Sequence, residues 1–237
     1  MRLGKLFLIP APLGDGAVEF VIPQGTLDVL HTLRFFVVEE LRTARRYLKK
    51  AGIKTPIEQL TFFELNEHTP ETDIAAFLEP VLEGNDMGLL SEAGAPAVAD
   101  PGANLIALAH RQHIEVMPLV GPSSLLLALM AAGLNGQSFA FVGYLPVKSQ
   151  ERQQRLRQLE KRSIAERQTQ LFIETPYRNR ALLNDLLTVC APHTRLCIAA
   201  NITMPDAYIC TQTIAEWKKT AVDIHKKPCI FLIQGQG

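Results

Sequence analysis

Short apolar runs alternate with helical patterns along the whole of this chain, and that alternation restricts the fold more than any other feature. The runs predict strands over Leu6–Pro10, Phe35–Glu39, Gln59–Leu65, Met87–Ser91, Ile114–Leu119, Phe139–Val142, Thr169–Glu174, Arg195–Asn201, Ala207–Thr211 and Cys229–Ile233. Helical patterns cover Thr26–Leu33, Arg42–Ala51, Thr72–Glu83, Ala103–Gln112, Ser123–Ala132, Gln150–Arg167 and Asn179–Val189. Strand–helix–strand alternation implies an α/β protein with mixed, mostly parallel sheets. Ten strands are many for one open sheet, so two sheets of about five are expected, one in each of two α/β domains. A strand ending at Leu119 runs into the breaker Gly121-Pro122. The expected division is therefore an N-terminal domain over residues 1–119 and a C-terminal domain over residues 120–237.

A chain of 237 residues buries roughly 70–75% of the surface its unfolded form exposes, so neither disulfide nor metal is needed as a staple. The four cysteines, Cys190, Cys197, Cys210 and Cys229, show no CxxC spacing, which fits a reduced, cytoplasmic protein. Pro10 and Pro12 interrupt the first apolar stretch too early for a secretory leader. The run Leu125–Ala132 falls far short of the ~18 residues that span a bilayer, so no membrane role is expected.

Lys+Arg and Asp+Glu both number 24, which argues against a uniformly basic nucleic-acid coat. The neutrality hides segregation. Arg34 to Lys54 holds seven Lys/Arg against Glu39 and Glu40, Thr55 to Asp100 holds ten acids and no Lys or Arg, and Lys148 to Arg167 is basic by seven to three. The helix over Gln150–Arg167 has a narrow apolar stripe of Leu156, Leu159 and Ile164, so its basic face is either plain solvated surface or an RNA-facing one.

No GxxxxGK[ST], GxSxG or HExxH motif is present, and His110 and His113 lack a carboxylate cluster, so no metal site is expected. What stands out is a set of Gly/Pro-rich loops at the carboxyl ends of predicted strands, where open α/β sheets bind ligands. They are Pro10–Gly16, Ser91–Gly102, Val120–Ser124 and Glu174–Tyr177. The second is long and free of bulky side chains, which favours close backbone approach to a ligand.

Together and in this order, these loops resemble those of the class III S-adenosylmethionine-dependent methyltransferases, the tetrapyrrole methylase superfamily. Leu6–Gly14 is similar to the strand-one motif LYLVATPIGN of the RsmI-like branch, which methylates a ribose 2′-hydroxyl of small-subunit ribosomal RNA. Ser91–Gly102 resembles SDAGTPGISDPG, Gly121–Ser124 resembles PGPSA, Phe141–Pro146 resembles FEGFLP and Phe172–Arg178 resembles FYESPHR. The resemblance spans nearly the whole chain. It implies a homodimer that binds S-adenosylmethionine in a cleft between the domains, lined by Leu13, Ala95, Val98, Ser123, Ser124, Glu174, Asn201 and Pro228. The implied partner is RNA, ribosomal RNA or the small subunit.

Two motifs depart from the branch. EDTR reads Glu39-Glu40-Leu41-Arg42, and HEHNE reads Phe63-Glu64-Leu65-Asn66-Glu67. A ribose hydroxyl is a poor nucleophile until a base takes its proton. Glu40 and Glu64 are the first candidates for that base, with Glu39 and Glu67 behind them. Arg42, Arg45, Arg46 and Asn66 are the candidate substrate-binding residues. Arg152, Arg155, Arg157, Lys161 and Arg162 form a second basic cluster. Two alternatives stay open: a corrin or porphyrin methylase of the same fold, and a non-catalytic paralogue that binds the cofactor and RNA.

Overall fold

The structure, a computed structural model, describes residues 2–66 and 68–236, the side chain of Glu71 excepted. It divides into two units, Met1–Ser123 and Ser124–Gly237. Unit one runs β1 (Lys5–Ile9), α1 (Val18–Val21), α2 (Gln24–Leu30), β2 (Phe35–Val38), α3 (Leu41–Lys50), β3 (Thr61–Glu64), α4 (Glu71–Ile74), α5 (Glu79–Leu82), β4 (Met87–Leu90), α6 (Gly102–Arg111) and β5 (Glu115–Pro118). Its sheet has the order β3-β2-β4-β1-β5, and every pair is parallel.

Parallel sheets are covered on both faces, so their strands read as unbroken apolar runs rather than alternating ones. FFVV in β2 and MGLL in β4 are such runs, and all four residues of β4 are buried. One face packs Ile9, Phe36, Val38 and Leu90 against Leu27, Leu30 and Leu48 of α2 and α3. The other packs Leu6, Val37, Met87 and Leu89 against Leu78, Leu105 and Ala109. Burying a side chain such as Phe36 contributes about 1.5–3 kcal/mol.

The chain leaves β1 toward β2 on one side of the sheet order and leaves β4 toward β5 on the other. Right-handed crossovers place the following helices on opposite faces, which opens a crevice at the carboxyl ends of β1 and β4. The helix expected over Thr72–Glu83 is broken into α4, a 3₁₀ turn over Ala76–Leu78, and α5. Pro80 is the cause: it has no N–H to donate and its ring collides with the carbonyl four residues back.

Unit two runs α7 (Ser124–Ala132), β6 (Phe139–Tyr144), α8 (Ser149–Glu166), β7 (Thr169–Ile173), α9 (Asn179–Val189), β8 (Arg195–Ala200), β9 (Tyr208–Thr213), α10 (Ile214–Trp217) and β10 (Cys229–Gln234). Its sheet order is β6-β7-β10-β8-β9. Here β6 and β7 are parallel, and β7–β10, β10–β8 and β8–β9 are antiparallel. The expectation of a mostly parallel sheet therefore fails in this unit. A parallel return needs a crossover of about a dozen residues or more, and the link 201–207 between β8 and β9 is too short for one. Phe172 and Phe231 stack in the core with ring centroids 6.1 Å apart. Trp217 is buried there, and its indole N–H donates to the Leu196 carbonyl at 2.8 Å.

The basic cluster expected on α8 loses a member to this core. Arg152 is buried, with Nε and Nη2 at 2.7 and 2.6 Å from Asp185 Oδ2 and Nη1 at 2.7 Å from the Val147 carbonyl. It fastens α8 to α9 rather than facing solvent. Arg162 is paired with Glu166 one turn away at 3.0 Å. Asp185→Ala strands the Arg152 charge in a buried site, so a loss of about 3–5 kcal/mol in urea unfolding is expected. Arg157→Ala, on the exposed face of the same helix, should stay within about 0.5 kcal/mol of the parent.

Candidate functional site

Because all strands of unit one are parallel, the segments that follow them share one edge of the sheet. That edge holds Leu13 after β1, Glu39 and Glu40 after β2, Glu64 at the end of β3, Asn66 beyond it, Ala95 and Val98 after β4, and Ser123 after β5. The loops after β1 and β4 are joined by an isolated antiparallel bridge. Ala11 and Gly94 exchange both backbone hydrogen bonds at 2.9 Å. Gly94 has φ +76°, and a Cβ there would stand 3.2 Å from Leu13 Cδ2 and 3.8 Å from the Pro122 carbonyl oxygen, so glycine admits all three loops to one spot.

The Ser91–Gly102 loop is held by its own carboxylate. Both Asp100 oxygens lie 2.8 Å from the Ala97 N–H, and Oδ1 also accepts from Gly102 N–H at 2.8 Å. Ala97 and Ala99 both sit at φ 63°, a left-handed conformation that costs an alanine roughly 1–2 kcal/mol. Burial raises the Asp100 carboxyl above its ordinary value despite these bonds.

Against these loops lies α3. Thr43, Arg46 and Tyr47 line an open cavity of about 180 Å³ together with Ala11, Pro12, Leu13, Gly14, Asp15, Glu92 and Ala93. Helical spacing puts positions 43, 46, 47 and 50 on one face. Tyr47 donates its hydroxyl to the Pro10 carbonyl at 3.0 Å, and Lys50 pairs with Asp15 at 3.0 Å. Arg45 lies elsewhere, its guanidinium 5.4 Å over the Phe62 ring. Thus the basic cluster of α3 separates into an arginine stacked on Phe62, a lysine paired with Asp15, the exposed Lys49, and Arg42 with Arg46. Among the described residues these last two make no ion pair.

The candidate bases also separate. Glu40 is the N-cap of α3: its oxygens accept from Arg42 N–H at 2.9 Å, Thr43 N–H at 2.6 Å and Thr43 Oγ1 at 2.7 Å. These bonds, the Thr43 hydroxyl first, hold its carboxyl below the ordinary value. Glu39 is half-buried, accepts from Glu92 N–H at 3.4 Å, and is pushed up by burial, with the charges of Glu92 and Asp100 adding to the rise. Glu64 is exposed. Asn66 organises the turn after β3 by accepting from His68 N–H at 2.9 Å. Glu67 lies outside the described residues.

In unit two, β10 runs against β7 and β8, so its start lies beside their ends. Glu174, Asn201 and Pro228 accordingly share one edge, and Asn201 N–H donates to the Pro228 carbonyl at 3.0 Å. The Glu174 carboxylate is fully buried. Oε1 accepts from Thr175 N–H at 2.7 Å and from Arg178 Nε and Nη2 at 2.9 and 2.6 Å, whereas Oε2 has no partner among the described residues. Asn201 adopts φ 48° and donates from Nδ2 to Asp206 at 2.8 Å. Ser124 begins α7. Sequence reading missed Tyr47, Asp100 and Arg178; the i,i+4 spacing of Glu174 and Arg178 was the available signal for the last. Among the described residues no group of three or more His, Cys, Asp or Glu could hold a metal ion.

A family model described as Tetrapyrrole (Corrin/Porphyrin) Methylases matches residues 6–218. "Ribosomal RNA small subunit methyltransferase I" of Vibrio cholerae is 30% identical over 233 residues, covering 97% of this chain and 77% of the relative. The protein of that name from Synechocystis sp. is 31% identical over 201 residues, covering 85% and 68%. Among solved structures, the methyltransferase CobJ aligns with a TM-score of 0.63 at 21% identity, covering 98% of this chain and 94% of that one. The cobalamin biosynthetic cobalt precorrin-4 methyltransferase CbiF aligns at 0.62 and 16%, covering 97% and 94%. At such identities the structural likeness establishes the fold.

Asp100→Ala should destabilise the Ser91–Gly102 loop by about 1–3 kcal/mol, since two part-buried N–H donors lose their acceptor. Limited proteolysis would then cut within residues 91–102 faster than in the parent, and an unchanged rate would refute the clamp. A second outcome concerns pH. The folded state holds the Glu39 proton to higher pH than the unfolded chain does, so stability falls as pH rises from 4.5 through the raised value. Glu39→Gln should remove that part of the decline in unfolding measured between pH 4 and 8.

Proposed function

We propose that this chain, which belongs to the tetrapyrrole (corrin/porphyrin) methylase family, is an S-adenosylmethionine-dependent methyltransferase acting on a ribose 2′-hydroxyl of small-subunit ribosomal RNA. The observation that carries the RNA target is the near full-length similarity to relatives named for small-subunit ribosomal RNA methylation. S-adenosylmethionine supplies a methyl group already activated on a sulfonium, so the protein is left to align the acceptor, exclude water and take a proton.

The residues present fit that cofactor. The small-residue loops of unit one leave backbone and cavity open to a ligand, and the unpartnered Glu174 Oε2 of unit two is an acceptor for a hydroxyl or amino donor such as a nucleoside carries. Leu13, Ala95, Val98 and Ser123 are the proposed contacts from unit one. Ser124, Glu174, Asn201 and Pro228 are those from unit two.

For proton removal the geometry favours Glu39 over Glu40. A carboxylate engaged as a helix cap and held below its ordinary value is a weaker base, whereas burial, which raises Glu39, makes it the stronger proton acceptor of the two. Glu92, whose N–H meets Glu39, lines the cavity. Arg46 on the cavity wall, with Arg42 one turn before it, would hold RNA phosphate. A homodimer and a cytoplasmic location belong to the same reading. Exposed Leu126 and Met130, one turn apart on α7, support an apolar contact with a second copy. Among the described residues no helix is long and apolar enough to cross a membrane.

The test is transfer of labelled methyl from S-adenosylmethionine to small-subunit RNA from a strain lacking this gene. Glu39→Gln should lower the rate on the order of 10²–10⁴-fold, with Glu40→Gln close to the parent because an amide oxygen still caps α3. Arg46→Ala should lower the slope of log affinity against log salt by about 0.7–0.9. Methylation of a corrin or porphyrin in place of RNA would overturn the target, and cofactor binding without transfer to RNA would mark a non-catalytic protein.

A further inference from the structure

The edge of unit two beside Glu174 carries a set of exposed side chains that the proposed cofactor contacts do not use. At the end of β6 the register slips: Phe141 lies opposite Leu171, and Tyr144, not residue 143, lies opposite Ile173. The extra residue is a bulge with Gly143 at φ +70°. A bulge of this kind re-aims the side chain that follows it. Tyr144 ends 58% exposed, which no packing need explains for an aromatic ring in a strand. On the turn after the neighbouring strand β7, Tyr177 is 72% exposed. Lys226 holds its ammonium 5.6 Å over the Tyr177 ring, and its backbone N–H donates to the Pro176 carbonyl at 3.2 Å. Arg178, next in sequence to Tyr177, is fixed by the buried Glu174 carboxylate and lies near enough to Tyr144 to interact electrostatically.

Two exposed aromatic rings, one cation on a ring face and one guanidinium held in place by a buried acid form a combination with a specific chemistry. Bases stack on aromatic rings whatever their sequence, and cations alongside meet the phosphates. Lys226, Lys227 and Arg178 flank this edge, with Lys227 also 3.6 Å from Asp206 and exposed Val147 three residues beyond Tyr144. Double-stranded RNA hides its base faces, so stacking requires unpaired nucleotides.

We infer that Tyr144 and Tyr177, with Arg178 and Lys226 beside them, form a stacking platform for unpaired nucleotides of the RNA substrate. The inference rests on the RNA reading above and adds the form of RNA that is bound and the residues that bind it. The glycine bulge places Tyr144, the Glu174–Arg178 pair orders the guanidinium, and Lys226 is tied to the turn that carries Tyr177.

The test is fluorescence anisotropy with a short unstructured oligoribonucleotide at one fixed salt concentration. Tyr144→Ala and Tyr177→Ala should each weaken binding about tenfold, while Tyr144→Phe and Tyr177→Phe, which keep the ring, should bind within about twofold of the parent. Calorimetric affinity for S-adenosylhomocysteine should be the same in all four variants. Parent-like RNA binding by both alanine variants overturns the platform and leaves the RNA reading intact. Loss of S-adenosylhomocysteine affinity in the alanine variants overturns it as well, by assigning the edge to the cofactor. Tighter binding of a duplex than of the single strand has the same consequence. A parent protein that binds no RNA at all removes the RNA reading itself.

Discussion

Two backbone hydrogen bonds, between Ala11 and Gly94, hold the site of unit one together. They are formed outside the sheet, yet they bring the loop after β1 onto the loop after β4, at the point where the connections diverge to opposite faces. Leu13 can then approach Gly94, and Glu92 and Ala93 become walls of the cavity that α3 closes. The Asp100 clamp and the two left-handed alanines belong to the same construction. The loop is short of bulky side chains to bury, so it takes its shape from hydrogen bonds and from one neighbouring carboxylate.

Charge in this chain is placed more finely than its neutral total indicates. Buried Arg152 and buried Glu174 have partners within their own unit, and each orders the elements around it. Lys50 is cancelled by Asp15, and hydrogen bonding to Lys50 together with its charge holds that acid below its ordinary value. Buried ion pairs are weak stabilisers compared with apolar packing but costly to break, so they fix geometry more than they add stability. Among the described residues Arg42 and Arg46 make no ion pair, although Arg42 helps to lower the Glu40 carboxyl and Arg46 that of Asp15.

The strands were legible because apolar runs bounded by turn residues are a strong local signal, and each of the ten predicted runs overlaps a strand. Their direction in unit two was not, because alternation with helices carries no information on where β10 inserts between β7 and β8. Pro80 was visible in the sequence, and its effect on the helix over residues 72–83 follows from local chemistry alone. The loops were legible from small residues at strand ends. The division of labour among neighbouring side chains was not. Arg45, Arg46 and Lys50 look alike in sequence, and Glu39 and Glu40 are adjacent acids. What separates them is the helix face each occupies and which N–H groups each meets, and both depend on where the chain starts α3.

The buried position of Trp217 gives this protein an internal reporter. It is the single tryptophan of the chain, and it lies in the core of unit two with its indole N–H bonded to a strand carbonyl. Emission excited at the indole band therefore reports on unit two alone, while unit one, with Tyr47 as its buried phenol, stays dark in that channel. Recording this emission alongside the backbone signal in the far ultraviolet gives two melting curves from one sample, one for a single unit and one for both. A substitution made in either unit can then be assigned to the unit it disturbs without any label being attached.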